Sequence, residues 1–180
     1  MNKTFNKKNK LTKYLRYVII AFATIAFVFL FMRFVAFHAY VPSESMEPTL
    51  NVGDHYIVSR VSFYTKAPQR GDIVIFRNSG KIDDDDDTNY VVKRIIGVGG
   101  DVVIIQNGNV YINDKLFKED YAEKDDYSGK FEVPDGCYFL MGDNRDESND
   151  SRYWDNPYLK REDILGKGVF RFYPQPKKLR

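Results

Sequence analysis

A mainly β domain behind a single N-terminal transmembrane helix is the fold class this 180-residue sequence predicts. Two observations carry it. A long apolar run follows a basic N-terminal segment, and everything after Leu50 breaks into short strand-like runs separated by turn formers.

The first element begins after Lys3, Lys7, Lys8, Lys10, Lys13 and Arg16. Val18 to Met32 carries no charge, and Phe34-Val35-Ala36-Phe37 extends the run past Arg33. From Tyr17 to Tyr40 there is room for the roughly 20 helical residues that cross a bilayer core. Arg33 lies near enough to the far end to lift its guanidinium to the interface. Basic residues favour the cytoplasm, so the rest of the chain is expected outside the plasma membrane. A cleaved leader would need small residues at positions one and three before the cut. Ala39 pairs there with Phe37 and Ala36 with Phe34, so an uncleaved anchor is expected. The boundaries that follow are a cytoplasmic tail over 1–16, an anchor over 17–40, an extracytoplasmic domain over 41–174 and a tail over 175–180.

Strands are expected at His55 to Val61, Ile73 to Arg77, Tyr90 to Ile96, Val102 to Gln106, Val110 to Ile112, Tyr138 to Met141 and Val169 to Tyr173. Turn chemistry separates them, with Asn107-Gly108 the best hairpin signal in the chain. The run Asp83 to Asp87 is self-repelling and reads as a solvated loop tip. The segment from Pro174 onward has no core pattern.

Composition narrows the function. Residues 1–36 hold seven of the 27 basic residues and no acid, leaving 20 basic against 25 acidic residues in the remainder. That remainder is net negative, so a nucleic-acid partner is not expected. Cys137 is the single cysteine, which excludes an intrachain disulfide and reads as a small buried residue.

The chemistry-bearing residues follow the apolar run directly. In Pro42-Ser43-Glu44-Ser45-Met46-Glu47-Pro48, Ser45 offers a hydroxyl, which is a poor nucleophile without a base nearby. No spacing singles out His38 or His55 as that base. Lys93 is a better candidate, because Tyr90-Val91-Val92-Lys93-Arg94-Ile95-Ile96 sets it within an apolar run, where burial penalises the ammonium. Lowering a lysine from about 10.4 to about 8 would cost roughly 3 kcal/mol, which a folded domain can bear. A neutral amine could take the serine proton and return it to a leaving amine. The polar stretch Gly142 to Arg152 superficially suggests a calcium loop, but Ser148 holds the sixth place, where the EF-hand pattern needs glycine.

These residues together resemble the bacterial type I signal peptidases, membrane-anchored Ser/Lys proteases. The motifs are Ser-x-Ser-Met-x-Pro-Thr at Ser43 to Thr49, Arg-Gly-Asp-Ile-Val at Arg70 to Val74, Lys93-Arg94, and Gly-Asp-Asn-Arg-Asp-x-Ser-x-Asp-Ser-Arg at Gly142 to Arg152. The resemblance implies a signal-peptidase-like β-rich domain with Ser45 as nucleophile and Lys93 as general base. It implies an oxyanion hole from the Ser45 amide and the Ser43 hydroxyl, with Ser148 orienting Lys93 while Asp150 and Arg152 hold their loop. Val41, Met46, Leu50, Val91 and Val92 match pocket positions that admit small side chains at −1 and −3 of a preprotein. Secretory preprotein signal peptides and plasma-membrane lipid are the partners implied; no metal or cofactor is. The single anchor is similar to that of Gram-positive members.

One departure lies in the turn usually written Gly-x-Pro-Gly-Asp, where Gly97-Val98-Gly99-Gly100-Asp101 gives up proline's fixed angle. Two alternatives are a self-cleaving Ser/Lys repressor, and a non-enzymatic surface adhesion module suggested by Arg70-Gly71-Asp72. The first would lack an anchor and carry a DNA-binding domain. The tripeptide of the second reads better as a turn before a strand.

Overall fold

The computed structural model describes residues 2–77, 90–123 and 125–179, with side chains from residue 12 onward; the run Asp83 to Asp87 lies outside them. The chain divides into two units, the first ending at Ala36 and the second running from Phe37.

The first unit is one helix, α1 (Asn2–Phe34). Neither glycine nor proline occurs before Pro42, so nothing interrupts its hydrogen-bond ladder. Within it, Thr12–Phe34 is 23 residues long and apolar enough to cross a membrane. Phe22, Ile25 and Phe29 are all exposed, so this helix is apolar all round, as suits a lipid environment. Thr24 satisfies its hydroxyl by donating to the Ile20 carbonyl at 2.9 Å.

The helix stops six residues before the end of the expected anchor. Ala36–Tyr40 is a strand, β1, in the apolar stretch that the 17–40 boundary gave to the membrane. An apolar run cannot by itself tell a helix end from a strand start. Alternating exposure along β1 is the signature of a half-covered edge strand.

The second unit contains two antiparallel sheets. The first takes β1, β2 (His55–Ser59), β3 (Ile73–Arg77), β4 (Tyr90–Val98), β9 (Cys137–Met141), β10 (Leu159–Lys160), β11 (Ile164–Tyr173) and β12 (Lys177–Lys178). Its order is β1-β2-β11-β3-β4-β9-β10, with β12 on β11. The second sheet takes β5 (Val102–Gln106), β6 (Asn109–Ile112), β7 (Lys115–Leu116) and β8 (Gly129–Glu132), in the order β7-β6-β5-β8. Seven of these strands were expected; the rest, besides β1, are two to four residues long and too short to show a period.

The hairpin reads out as its sequence demands. Asn107 and Gly108 both take positive φ, 47° and 70°, and Gln106 pairs with Asn109. A Cβ at Gly108 would also lie 2.2 Å from the Asp125 carbonyl oxygen, so glycine is required there twice over. At Gly99 an added Cβ would sit 3.0 Å from the backbone of Pro134, Asp135 and Gly136. Close packing of a neighbouring loop accompanies the loss of proline at that turn.

Asp101 fastens the same turn. Its carboxylate accepts from the Val98 amide (2.8 Å), the Asn113 side chain (2.9 Å) and Arg70 (2.6 Å). Burial works to raise this carboxyl, but those three donors outweigh it and hold it below its ordinary value. A lowered folded value stabilises the protein above the unfolded carboxyl range, about pH 4, and the contribution fades as pH falls through the folded value. Asp101→Asn should therefore unfold more readily at pH 7 yet lose less of its remaining stability on acidification, read from urea midpoints at both pH values.

Arg70-Gly71-Asp72 is committed to the fold, not to an external receptor. Arg70 pairs with Asp101, the Gly71 amide donates to Ile95, and Asp72 pairs with Lys167. The C-terminal segment also departs from expectation, because Leu179 is 4% exposed and packs with Tyr56, Val58 and Ile73. A single apolar plug just after a two-residue strand leaves no period to read. Cys137 is free and half-buried, against the core that joins the two sheets.

Candidate active site

Ser45 sits in a single 3-10 turn, Glu44–Met46. The Glu47 amide closes it onto the Glu44 carbonyl at 3.0 Å, and the Leu50 amide reaches the Met46 carbonyl at 2.9 Å. Met46 and Leu50, both fully buried, are the plugs that seat this turn on the core, so the serine is held by packing on one side and exposed chain on the other. The turn is also tied to the polar loop: the Asn144 amide donates to the Ser45 carbonyl at 3.2 Å, and its side chain to the Glu44 carbonyl at 3.3 Å.

Lys93 comes from the middle of β4, opposite Val74 on β3. Its strand lies between β3 and β9, and Val92 through Gly97 are buried, so the lysine is only 3% exposed. Ser45 is 5% exposed. Both line one cleft of about 450 Å³, walled by β1 on one side and by Tyr90 through Lys93 on the other. Ser43 is on the same wall, its Oγ 3.4 Å from the Ser45 Oγ.

Behind the cleft stands a buried ionic framework. Asp150 accepts from the Gly142 amide (2.9 Å), the Ser148 hydroxyl (2.7 Å), the Arg152 amide (3.2 Å) and Arg152 Nε and Nη2 (2.8 and 2.9 Å). Arg152 also pairs with Asp125 and donates to the Arg145 carbonyl at 2.7 Å. Gly142 is the contact point with the nucleophile's turn. A Cβ there would lie 2.2 Å from Ser148 Oγ and 2.3 Å from the Ser45 carbonyl oxygen, so only glycine lets the two segments meet.

A second buried pair stands next in sequence to each half. Arg94 makes a two-pronged pair with Asp143 at 2.8 and 2.6 Å and lies over the Tyr121 ring at 3.9 Å. Burial alone would lower its proton affinity, but the bond and charge of Asp143 prevail and keep it cationic. Asp143 and Asp150 of the polar loop are thus spent on arginines, in a sequence that superficially suggested a calcium loop.

Of the site residues expected from sequence, Ser43, Ser45, Lys93, Val91 and Val92 line the cleft. Ser148, Asp150 and Arg152 are buried behind it. Val41, Met46 and Leu50, at 1%, 0% and 0% exposure, lie in the core cluster that also holds Tyr56, Ile75 and Val92 of the cleft wall. Apolar type does not distinguish a wall from the layer beneath it.

The lining residues that sequence reasoning missed include Ala39, Tyr56, Ile75, Glu147 and Asn149. Inward alternation on β2 was the available signal for Tyr56, whereas Ala39 was hidden inside the apolar run. Burial raises the Tyr56 phenol and keeps it neutral. His38 also lines the cleft, and its Nε2 lies 2.7 Å from His55 Nδ1, so the imidazoles engage each other.

Among the aromatics, Phe63 and Trp154 are core residues, while Tyr40, Tyr64 and Tyr153 are more than half exposed.

A β domain that brings a serine hydroxyl and a buried lysine amine to one partly apolar cleft has the equipment of a serine peptidase. A family model described as signal peptidase, peptidase S26, matches residues 14–173. A probable signal peptidase I-2 of Synechocystis sp. is 42% identical over 146 residues, covering 80% of this chain and 66% of that one. The signal peptidase I of Bacillus licheniformis is 35% identical over 186 residues, 96% of this chain and 94% of that one. A crystal structure of a signal peptidase I from Enterococcus faecalis V583 aligns at a TM-score of 0.46 and 31% identity, covering 57% of this chain and 97% of that one. The chain belongs to the signal peptidase family, peptidase S26, and is a serine peptidase that cleaves signal peptides.

Proposed function

We propose that Ser45 is the nucleophile and Lys93 its general base, in a peptidase domain on the outer face of the plasma membrane. The observation that carries this reading is the shared cleft, in which a 3%-exposed lysine and a 5%-exposed serine face the same space. Burial favours the neutral amine, the form that can accept the serine proton. Ser45 Oγ attacks the scissile carbonyl carbon, and Lys93 takes the hydroxyl proton and passes it to the departing amine. Water, deprotonated by the same amine, then attacks the acyl-enzyme and releases Ser45.

The Ser45 amide and the Ser43 hydroxyl donate to the oxyanion that forms in both steps. Ser148 orients Lys93, and Asp150 and Arg152 hold Ser148. The preprotein enters as an extended strand between β1 and β4, pairing with free strand edges. Val91 and Val92, with the newly found Ala39, Tyr56 and Ile75, restrict −1 and −3 to small side chains. Residues 1–16 are cytoplasmic, the helix up to Phe34 crosses the bilayer, and the bilayer lipid around it is the second partner.

Cleavage of a preprotein peptide tests the reading. A peptide with alanine at −1 and −3 should be cut by the membrane fraction, with at least a hundredfold loss when phenylalanine replaces alanine at −1, about the cost of displacing a reacting bond by 1 Å. Equal rates for the two peptides, or full activity in a salt-washed soluble fraction, would defeat it.

A further inference from the structure

The cleft wall carries one charged residue with no part in the proton transfers. Glu147 precedes Ser148 in the polar loop, is exposed, and lines the same space as Ser45 and Lys93. Its carboxylate has no ion pair among the described residues, unlike Asp143 and Asp150 of the same loop, which arginines neutralise. It therefore faces the cleft as an uncompensated negative charge.

Its place along the cleft follows from its neighbour. Ser148 Oγ and the Ser45 carbonyl both crowd the missing side chain of Gly142, so the residues flanking Ser148 stand at the nucleophile's end of the cleft. Asn149, on the other flank, lines the cleft as well. The remaining lining residues near this end, Pro42 and Ser43, are neutral, and Lys93 works as a neutral amine in the proposed mechanism.

We infer that Glu147 is a specificity determinant that favours a cationic side chain, and disfavours an acidic one, in the substrate residues that flank the small residue at −1. This rests on the Ser45–Lys93 reading, which puts the scissile bond at that end of the cleft. In an extended substrate, neighbouring side chains point to opposite faces. The side chains at −1 and −3 fill the apolar pocket, which leaves −2, +1 and +2 within reach of the loop. A carboxylate there attracts lysine across water, and added salt weakens it.

The test compares lysine, glutamine and glutamate at −2, +1 and +2 of one preprotein peptide, with full-length wild type, Glu147→Gln and Glu147→Lys. At one or more of the three positions the lysine peptide should be cut with about twofold to fivefold higher kcat/KM than the glutamate peptide, the range of exposed charge pairs. The ratio should fall toward one in Glu147→Gln, invert in Glu147→Lys, and shrink in 0.5 M salt. A ratio of one at all three positions in the wild type, or the same ratio in all three proteins, would overturn the inference. Reading a ratio within each protein separates charge selection from loss of folding. Failure of the wild type to cut the glutamine peptide would instead defeat the catalytic reading on which this one stands.

Discussion

Ser45→Ala and Lys93→Ala should each abolish measurable cleavage of a preprotein peptide while leaving the fold intact. In the proposed mechanism the hydroxyl is the attacking group, and without the amine it stays protonated. Residues that act as one catalytic unit are not additive, so the double variant should be no slower than either single one. Loss on the order of 10⁴-fold or more is expected from the behaviour of other nucleophile and base knockouts.

Lys93→Ala also opens a gap beside Val91 and Val92, so Lys93→Met, which nearly keeps the volume, separates chemistry from packing. It should fold like the wild type and remain inactive. In that mechanism the wild-type rate should rise with pH, since only the neutral amine can take the serine proton. Full activity in Lys93→Met would mean that the proton goes elsewhere.

Asp150→Ala should be the most damaging change away from the cleft. It removes the acceptor for two backbone amides, the Ser148 hydroxyl and two nitrogens of the Arg152 guanidinium, all at 2.7 to 3.2 Å. The Arg152 side chain is fully buried, so it would be left with only Asp125 as counter-ion. Breaking a buried pair from one side costs about 3–5 kcal/mol. A domain of this size should lose roughly 10–20 °C in Tm.

Cleavage should fall as well, because Gly142, whose amide Asp150 holds, and Asn144 are points at which this loop meets the Ser45 turn. Asp150→Asn keeps the shape and one acceptor oxygen, and should retain more stability than Asp150→Ala while still weakening the Arg152 pair. A variant Asp150→Ala with wild-type Tm and wild-type kcat would show that the framework is incidental to the site.

Legibility in the sequence followed the length and regularity of each element. Ile73–Arg77 and Val102–Gln106 match their expected ends, since each is an apolar run bounded by turn formers. The Asn107-Gly108 hairpin was equally clear, because its positive φ values are a property of those two residue types. β12, with its two lysines, offered no such signal, and neither did the burial of Leu179. β1 failed for the opposite reason, since its apolar residues continue those of the helix without a break.

The sequence by itself determined the apolar helix, the strand runs, the turns and the identity of Ser45 and Lys93 as candidates, because propensity, periodicity and reactive chemistry are local. Tertiary structure decided which apolar residues form the cleft wall and which lie beneath it. It put Ala39, Tyr56 and Ile75 on the wall beside Val91 and Val92. It also decided that Asp143 and Asp150 serve arginines while Glu147 faces the cleft. Burial and ion pairing depend on residues as many as 117 positions apart, as between Asp54 and Arg171, and only folding brings those together.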